Sequence, residues 1–119
     1  GEASQALGSG AVAIGQAVSA GNGDTVAIGR ASSAGGFASV AIGATASGGG
    51  FKSVAIGSGA VASEGGNAAV GQDAQATGLF ASAFGQAARA SGSSTIAFGK
   101  QAGSFTVLFQ HRVDQAFLA

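Results

Sequence analysis

Five carboxylates, Glu2, Asp24, Glu64, Asp73 and Asp114, and one imidazole, His111, are the groups in this 119-residue chain that could move a proton near neutral pH. General acid–base work and glycoside hydrolysis need two carboxyl groups flanking one bond, and no two of the five stand at a spacing or on a shared strand face that makes such a pair. His111 is the only histidine and there is no cysteine, so a transition-metal site would need at least one carboxylate from another part of the fold. An imidazole at a surface or interface is the ordinary reading. Serines are plentiful but lack a neighbouring base, which argues against a Ser-His-Asp triad. The glycine-rich stretches GNG at 21–23 and GGGF at 48–51 carry no GK[ST] and open no helix, so they are not phosphate loops. GNGD at 21–24 sets an Asp beside a glycine turn, but it is not repeated as a calcium-binding nonapeptide array would be. The expectation is no catalytic residue, no cofactor and no metal.

The elements that carry these residues are set by a glycine ruler. Glycine recurs every fourteen residues, at Gly1, Gly15, Gly29, Gly43, Gly57, Gly71, Gly85 and Gly99. From Gly15 onward it follows a β-branched or aromatic residue, and Ala13, Ala27, Ala41, Ala55, Ala69, Ala83 and Ala97 stand two places before it. One supersecondary unit is copied and stacked. With the ruler glycine as offset zero, small residues return at offsets three and five, and Val and Ile at offsets eleven and thirteen. That spacing of two is strand spacing. A second glycine falls at offset seven (Gly8, Gly36, Gly50, Gly78, Gly92), replaced by Asn22, Glu64 and Thr106. Both glycine positions read as tight turns that need positive φ, a rule that Asn22 suits better than Glu64.

The expected fold class is therefore all-β, a parallel β-solenoid with 14-residue coils and two short strands per coil. At about 4.8 Å per coil, seven to eight coils make a rod roughly 35 Å long. A coil this short has room for two sheets, with Val and Ile on one set against Ala and Ser on the other as a large-against-small interior. Strands of the VAIG type are apolar on both faces, so something must cover the second face. The repeated Ala at offset twelve points away from its Val and Ile neighbours, as close approach of another rod would require; the reverse assignment of the two faces is equally open at this level. Large side chains are scarce in a chain rich in Ala, with 23 Gly, 8 Phe and no Trp, Tyr or Met. A lone subunit is thus thinly cored, which favours an oligomer.

At offset eight, Phe37 and Phe51 fall on successive coils and should stack along one edge, with Leu79 two coils further on and Lys52 beside Phe51. Apolar turn residues call for a partner, either a sister subunit or a ligand, so Phe37, Phe51, Leu79 and Lys52 are the candidate receptor or intersubunit contacts. Arg30 and Arg89 read as solvated charges that an acidic glycan or matrix protein would meet. Five basic residues balance five acidic ones without clustering, which argues against a nucleic-acid partner. The threonines form no flat array of the kind an ice-binding solenoid uses. No signal peptide, lipidation motif or membrane span is visible, and the chain begins in repeat phase, so it reads as a piece that does not itself insert in a membrane.

After Gly99 the pattern changes. Phe105, Phe109, Val113 and Phe117 recur every four residues, a helix-compatible stripe, while TVLF at 106–109 also suits a last strand. The chain divides into a repeat region over 1–104 and a cap or transition segment over 105–119, the latter a last strand and/or short helix.

Tandem units of the form SVAIGxxAxAxG, carried by AVAIG at 11–15, TVAIG at 25–29, SVAIG at 39–43 and 53–57 and the looser NAAVG, ASAFG and TIAFG, resemble the head domain of trimeric autotransporter adhesins, the YadA-like haemagglutinin repeats. The resemblance implies a left-handed parallel β-roll, assembled as a homotrimer on a coiled-coil stalk. It further implies display at the bacterial cell surface, anchored in the outer membrane through parts absent here, for multivalent attachment to a host extracellular matrix protein or surface glycan. The segment over 105–119 departs from the family's neck sequence, and a trimeric phage tail-fibre or receptor-binding tip would use the same roll.

Overall fold

The computed structural model describes residues 3–103. The expected cap or transition segment over 105–119 lies outside the described residues, as do Glu2, His111 and Asp114. In chain order the strands are β1 (Gln5–Ala6), β2 (Val12–Ile14), β3 (Ser19–Ala20), β4 (Val26–Ile28), β5 (Ser33–Ala34), β6 (Val40–Ile42) and β7 (Ser47–Gly48). They continue as β8 (Val54–Ile56), β9 (Val61–Ala62), β10 (Ala68–Val70), β11 (Gln75–Ala76), β12 (Ser82–Phe84), β13 (Arg89–Ala90) and β14 (Ile96–Phe98). The odd strands form one seven-stranded parallel sheet and the even strands another, each strand paired with the equivalent strand of the neighbouring coil. The register follows the ruler: Val26 lies opposite Val40, Ile28 opposite Ile42 and Ala34 opposite Gly48. The fold is an all-β parallel solenoid with 14-residue coils, and no helix occurs among the described residues.

Two turns close each coil, and each is locked by a hydrogen bond between residues three apart. Ala46 N–H donates to the Gly43 carbonyl at 3.1 Å, and Ser39 N–H to the Gly36 carbonyl at 3.1 Å. The third residue of both turns is left-handed, glycine or not, as in Ala31 (φ 60°), Lys52 (φ 55°) and Phe80 (φ 57°). These residues continue the ladder between coils through the bends. Ala31 N–H donates to the Gln16 carbonyl and Lys52 N–H to the Phe37 carbonyl, both at 2.9 Å. Keeping turn amides bonded removes the cost of unpaired donors and offsets the strain of a left-handed side-chain-bearing residue.

The two glycine positions differ in kind. At the ruler position Gly43 has φ +130°, and an added β-carbon would stand 2.6 Å from the carbonyl carbon of Gly57 in the next coil, so both conformation and space demand glycine. At offset seven the expectation of positive φ is corrected. Gly36 is not left-handed, and glycine is needed there because a β-carbon would run into the Gly50 carbonyl of the next coil.

The interior also corrects the expected large-against-small packing. The buried apolar residues are Val18 and otherwise alanines, among them Ala27, Ala41, Ala55, Ala69, Ala83 and Ala97 at offset twelve. Alanines at offsets three and five, such as Ala60 and Ala62, meet them from the opposite sheet. The sheets approach closely: across the interior, a β-carbon added to Gly48 would stand 2.7 Å from the Val40 carbonyl oxygen. The repeated alanine therefore faces inward, not toward another rod, and the Val and Ile of the same strands face outward.

Offset ten completes the interior with a polar column. Thr25 Oγ1 donates to the Asn22 carbonyl at 2.8 Å and Thr95 Oγ1 to the Gly92 carbonyl at 2.6 Å. Asn67 reaches into the next coil, donating from Nδ2 to the Ala76 carbonyl at 2.6 Å and accepting at Oδ1 from Ala81 N–H at 3.0 Å. Ser39 and Ser53, on adjacent coils, are buried with no hydrogen-bond partner for Oγ.

Candidate functional site

Because the interior takes mostly small side chains, most of the large apolar residues among the described residues are displayed, chiefly on two surfaces, Val18 being buried. The first is the outer face of the even-strand sheet. Val12, Val26, Val40, Val54, Ala68, Ser82 and Ile96 run up it as one in-register ladder beside a second that starts at Ile14 and ends at Phe84 and Phe98. Neither ladder carries a charge. Ile14 is 55% exposed and Phe98 72%, and the rings of Phe84 and Phe98 lie 5.5 Å apart at 40°. The outer face of the odd-strand sheet presents Gln5, Ser19, Ser33, Ser47, Val61, Gln75 and Arg89, so it is polar apart from Val61. A solenoid whose one outer sheet face is this apolar and whose other is polar has one side suited to water.

The second surface is the edge formed by the turns at offsets seven to nine. The structure brings Phe37 and Phe51 together there, with ring centroids 5.8 Å apart and planes 13° apart. The Lys52 ammonium stands 5.2 Å from the centroid of the Phe51 ring, within cation–π range. Leu79 belongs to the same edge two coils on, 46% exposed, with its Cδ1 3.8 Å from where a β-carbon on Gly65 would stand. Phe80, singled out by no sequence pattern, is the most exposed member at 63%, and its ring lies over Gly66. The signal that points to it is glycine one coil earlier: Gly23 precedes Phe37, Gly65 precedes Leu79 and Gly66 precedes Phe80 by fourteen residues, each leaving room for the larger side chain.

The remaining charged candidates are not gathered into a site. Arg30 is exposed on the opposite edge, in the turn that follows Gly29, and Arg89 is exposed on the polar face in β13. Asp24 and Asp73 lie on opposite edges, in turns at offsets nine and two. Among the described residues no three His, Cys, Asp or Glu side chains cluster as metal ligands would.

Thin stacked coils, an interior mostly of alanine and a largely displayed set of large apolar side chains characterise this solenoid. The family model described as the YadA head domain repeat matches residues 1–17, 49–74, 68–88 and 76–102, more than half of the chain, and the chain belongs to that family. YadA heads are of the trimeric adhesin type, and solenoids built from their repeats are typical of structural adhesins rather than enzymes. No curated protein matches the chain.

Proposed function

We propose that this chain is the non-catalytic head of a trimeric surface adhesin, in which three left-handed rolls associate about their even-strand sheets. The observation that carries this reading is the pair of uncharged Val, Ile and Phe ladders on one outer face, opposite a face of Ser, Gln and Arg. Association of three copies removes that apolar face from water, and the gain grows with the apolar area buried. It leaves the polar face as the exterior of a stiff rod. Among the described residues no helix is long and apolar enough to cross a membrane. The proposed adhesin would be attached to the outer membrane through other parts of the parent protein.

The edge carrying Phe37, Phe51, Lys52 and Leu79 is the proposed receptor contact. Stacked aromatics with an ammonium beside them suit a ligand that joins an apolar surface to an anionic group, as matrix proteins and acidic surface glycans do. Three copies of one weak edge act together on a multivalent host surface.

The test is sedimentation of the chain combined with binding to immobilised matrix proteins and glycan arrays, with Phe37→Ser/Phe51→Ser as comparison. The expected result is a trimer whose binding falls at least about tenfold in the double variant while its mass is unchanged, the loss of two exposed aromatic contacts. A stable folded monomer would overturn the assembly. Unchanged binding in an intact trimer would overturn the role of the edge.

A further inference from the structure

Coils of this roll differ in how firmly their side chains grip the neighbouring coil. A side chain at either left-handed turn position leans onto the coil before it, as Asp73 does over Gly59 and Phe80 over Gly66. The pairs at these positions run Ala31 and Ala38, Thr45 and Lys52, Gly59 and Gly66, then Asp73 and Phe80. Among the described residues, 57–70 form the only coil with glycine at both positions, so its turns receive the coil that follows and send no side chain back onto 43–56. Asn67 adds to the asymmetry, since both of its amide bonds go forward, to the Ala76 carbonyl and the Ala81 N–H. The outer ladders narrow at the same junction, with Val54 facing Ala68 and Ile56 facing Val70. Inside, Gly48 stands where the neighbouring coils have Ala34 and Ala62, and the hydroxyl of Ser53 is buried without a partner. The buried methyl groups accordingly fall into two clusters, one from Val18 to Ala46 and the other from Ala55 to Ala97. What crosses the junction undiminished is the backbone ladder, as in the bonds from Gly59 N–H to the Ala44 carbonyl and from Gly66 N–H to the Phe51 carbonyl, both 2.9 Å.

In a solenoid each coil touches only its neighbours, so stability is a sum of coil and junction terms, and a junction poor in side-chain contact limits how far order propagates. We infer that the junction between residues 43–56 and 57–70 is the plane at which the roll yields, dividing it into two blocks that open separately. The block after the junction is the firmer one: Asn67 ties its first two coils together, and the Phe84 and Phe98 rings meet 5.5 Å apart across its last two. The block before it carries the unpartnered hydroxyls of Ser39 and Ser53, so opening starts there. Yielding at this plane leaves Phe37, Phe51 and Lys52 on one block and Leu79 and Phe80 on the other, so the apolar edge is two surfaces joined by a compliant seam rather than one rigid strip. The seam follows from contacts within one chain and rests on neither the proposed assembly nor the proposed receptor contact.

The test is native-state hydrogen exchange of the whole chain, followed by mass spectrometry at increasing urea. The slow amides of β4 and β6 are expected to share one opening transition and those of β10 and β12 a second at higher urea, with the first group exchanging at least about tenfold faster without denaturant. Ser53→Thr supplies the hydroxyl bond that Thr25 makes to the carbonyl three residues before it, and Ala68→Val restores the outer ladder. Together they are expected to slow the first group at least about tenfold and bring the two transitions together. Ala68→Val alone, which points outward and leaves the interior untouched, is expected to give the same change in smaller measure. Ser33→Thr, on the polar face away from the junction, is expected to leave the division in place. One transition shared by all slow amides of the wild type overturns the inference, as does a division at any other junction. A division that neither Ala68→Val nor the double variant reduces overturns the assignment of the seam to these side chains.

Discussion

The carboxylate of Asp24 occupies the space that a side chain on Gly10 would need: the two residues share the same left-handed turn position on adjacent coils, and Asp24 Oδ1 lies 2.6 Å from where a β-carbon on Gly10 would stand. Asp73 stands over Gly59 and Phe80 over Gly66 in the same way. A left-handed position in this solenoid thus takes a side chain that leans onto the preceding coil when that coil offers glycine.

Replacing these glycines is expected to be mild, and replacing ruler glycines severe. Gly10→Ala keeps an accessible left-handed conformation and displaces only the end of a flexible side chain, so urea denaturation should show a loss of about 1–2 kcal/mol. Gly43→Ala meets backbone in the next coil at a φ of +130° and should cost roughly 3 kcal/mol or more. Equal losses at the two sites would contradict the distinction between them.

Removing the hydroxyls of Ser39 and Ser53 should stabilise the roll. Both are buried without a partner, and alanine at the same offset is accommodated in Ala81. Each Ser→Ala change is expected to raise stability by about 1 kcal/mol, because an unsatisfied buried polar group carries a desolvation cost with no compensating bond. A loss of stability in either variant would show that the hydroxyl has a partner in solution.

Asn67 should behave in the opposite way. Its amide bonds to Ala76 and Ala81, so Asn67→Ala removes two buried hydrogen bonds and opens a small void. The expected loss is about 2–3 kcal/mol by chemical denaturation. Asn67→Asp should be worse, since it loses the donor and brings a carboxylate oxygen toward the Ala76 carbonyl.

Within a single strand, neighbouring substitutions should separate folding from assembly. Ala55→Leu overfills an interior that is lined by alanines around that position and should prevent or strongly destabilise folding, as judged by loss of the β-sheet circular dichroism signal. Val54→Ser, beside it but outward, should leave that signal intact and weaken association measured by sedimentation, because the side chain it shortens belongs to the apolar outer ladder.

How much of this was legible beforehand follows from what each residue pattern encodes. The fourteen-residue ruler, the two short strands per coil, one at VAIG and one near the small residues at offsets three and five, the parallel in-register stacking and the Phe37–Phe51 ladder all follow from spacing, since a stacked repeat places residues fourteen apart next to each other. Alternation along a strand states that Ala41 lies on the opposite side from Val40 and Ile42, but it is symmetric and does not say which side is inside. That was decided by the distance between the two sheets, a tertiary quantity: at Gly48 even a β-carbon would meet the Val40 oxygen, the interior apolar residues are alanines apart from Val18, and the Val and Ile of the even strands are left outside. Likewise a glycine in the chain announces that a side chain is unwelcome without saying whether torsion or a neighbouring coil forbids it. Gly43 and Gly36 look alike in sequence, and only the stacked coils show that the first needs its backbone conformation as well as space, while the second needs space alone.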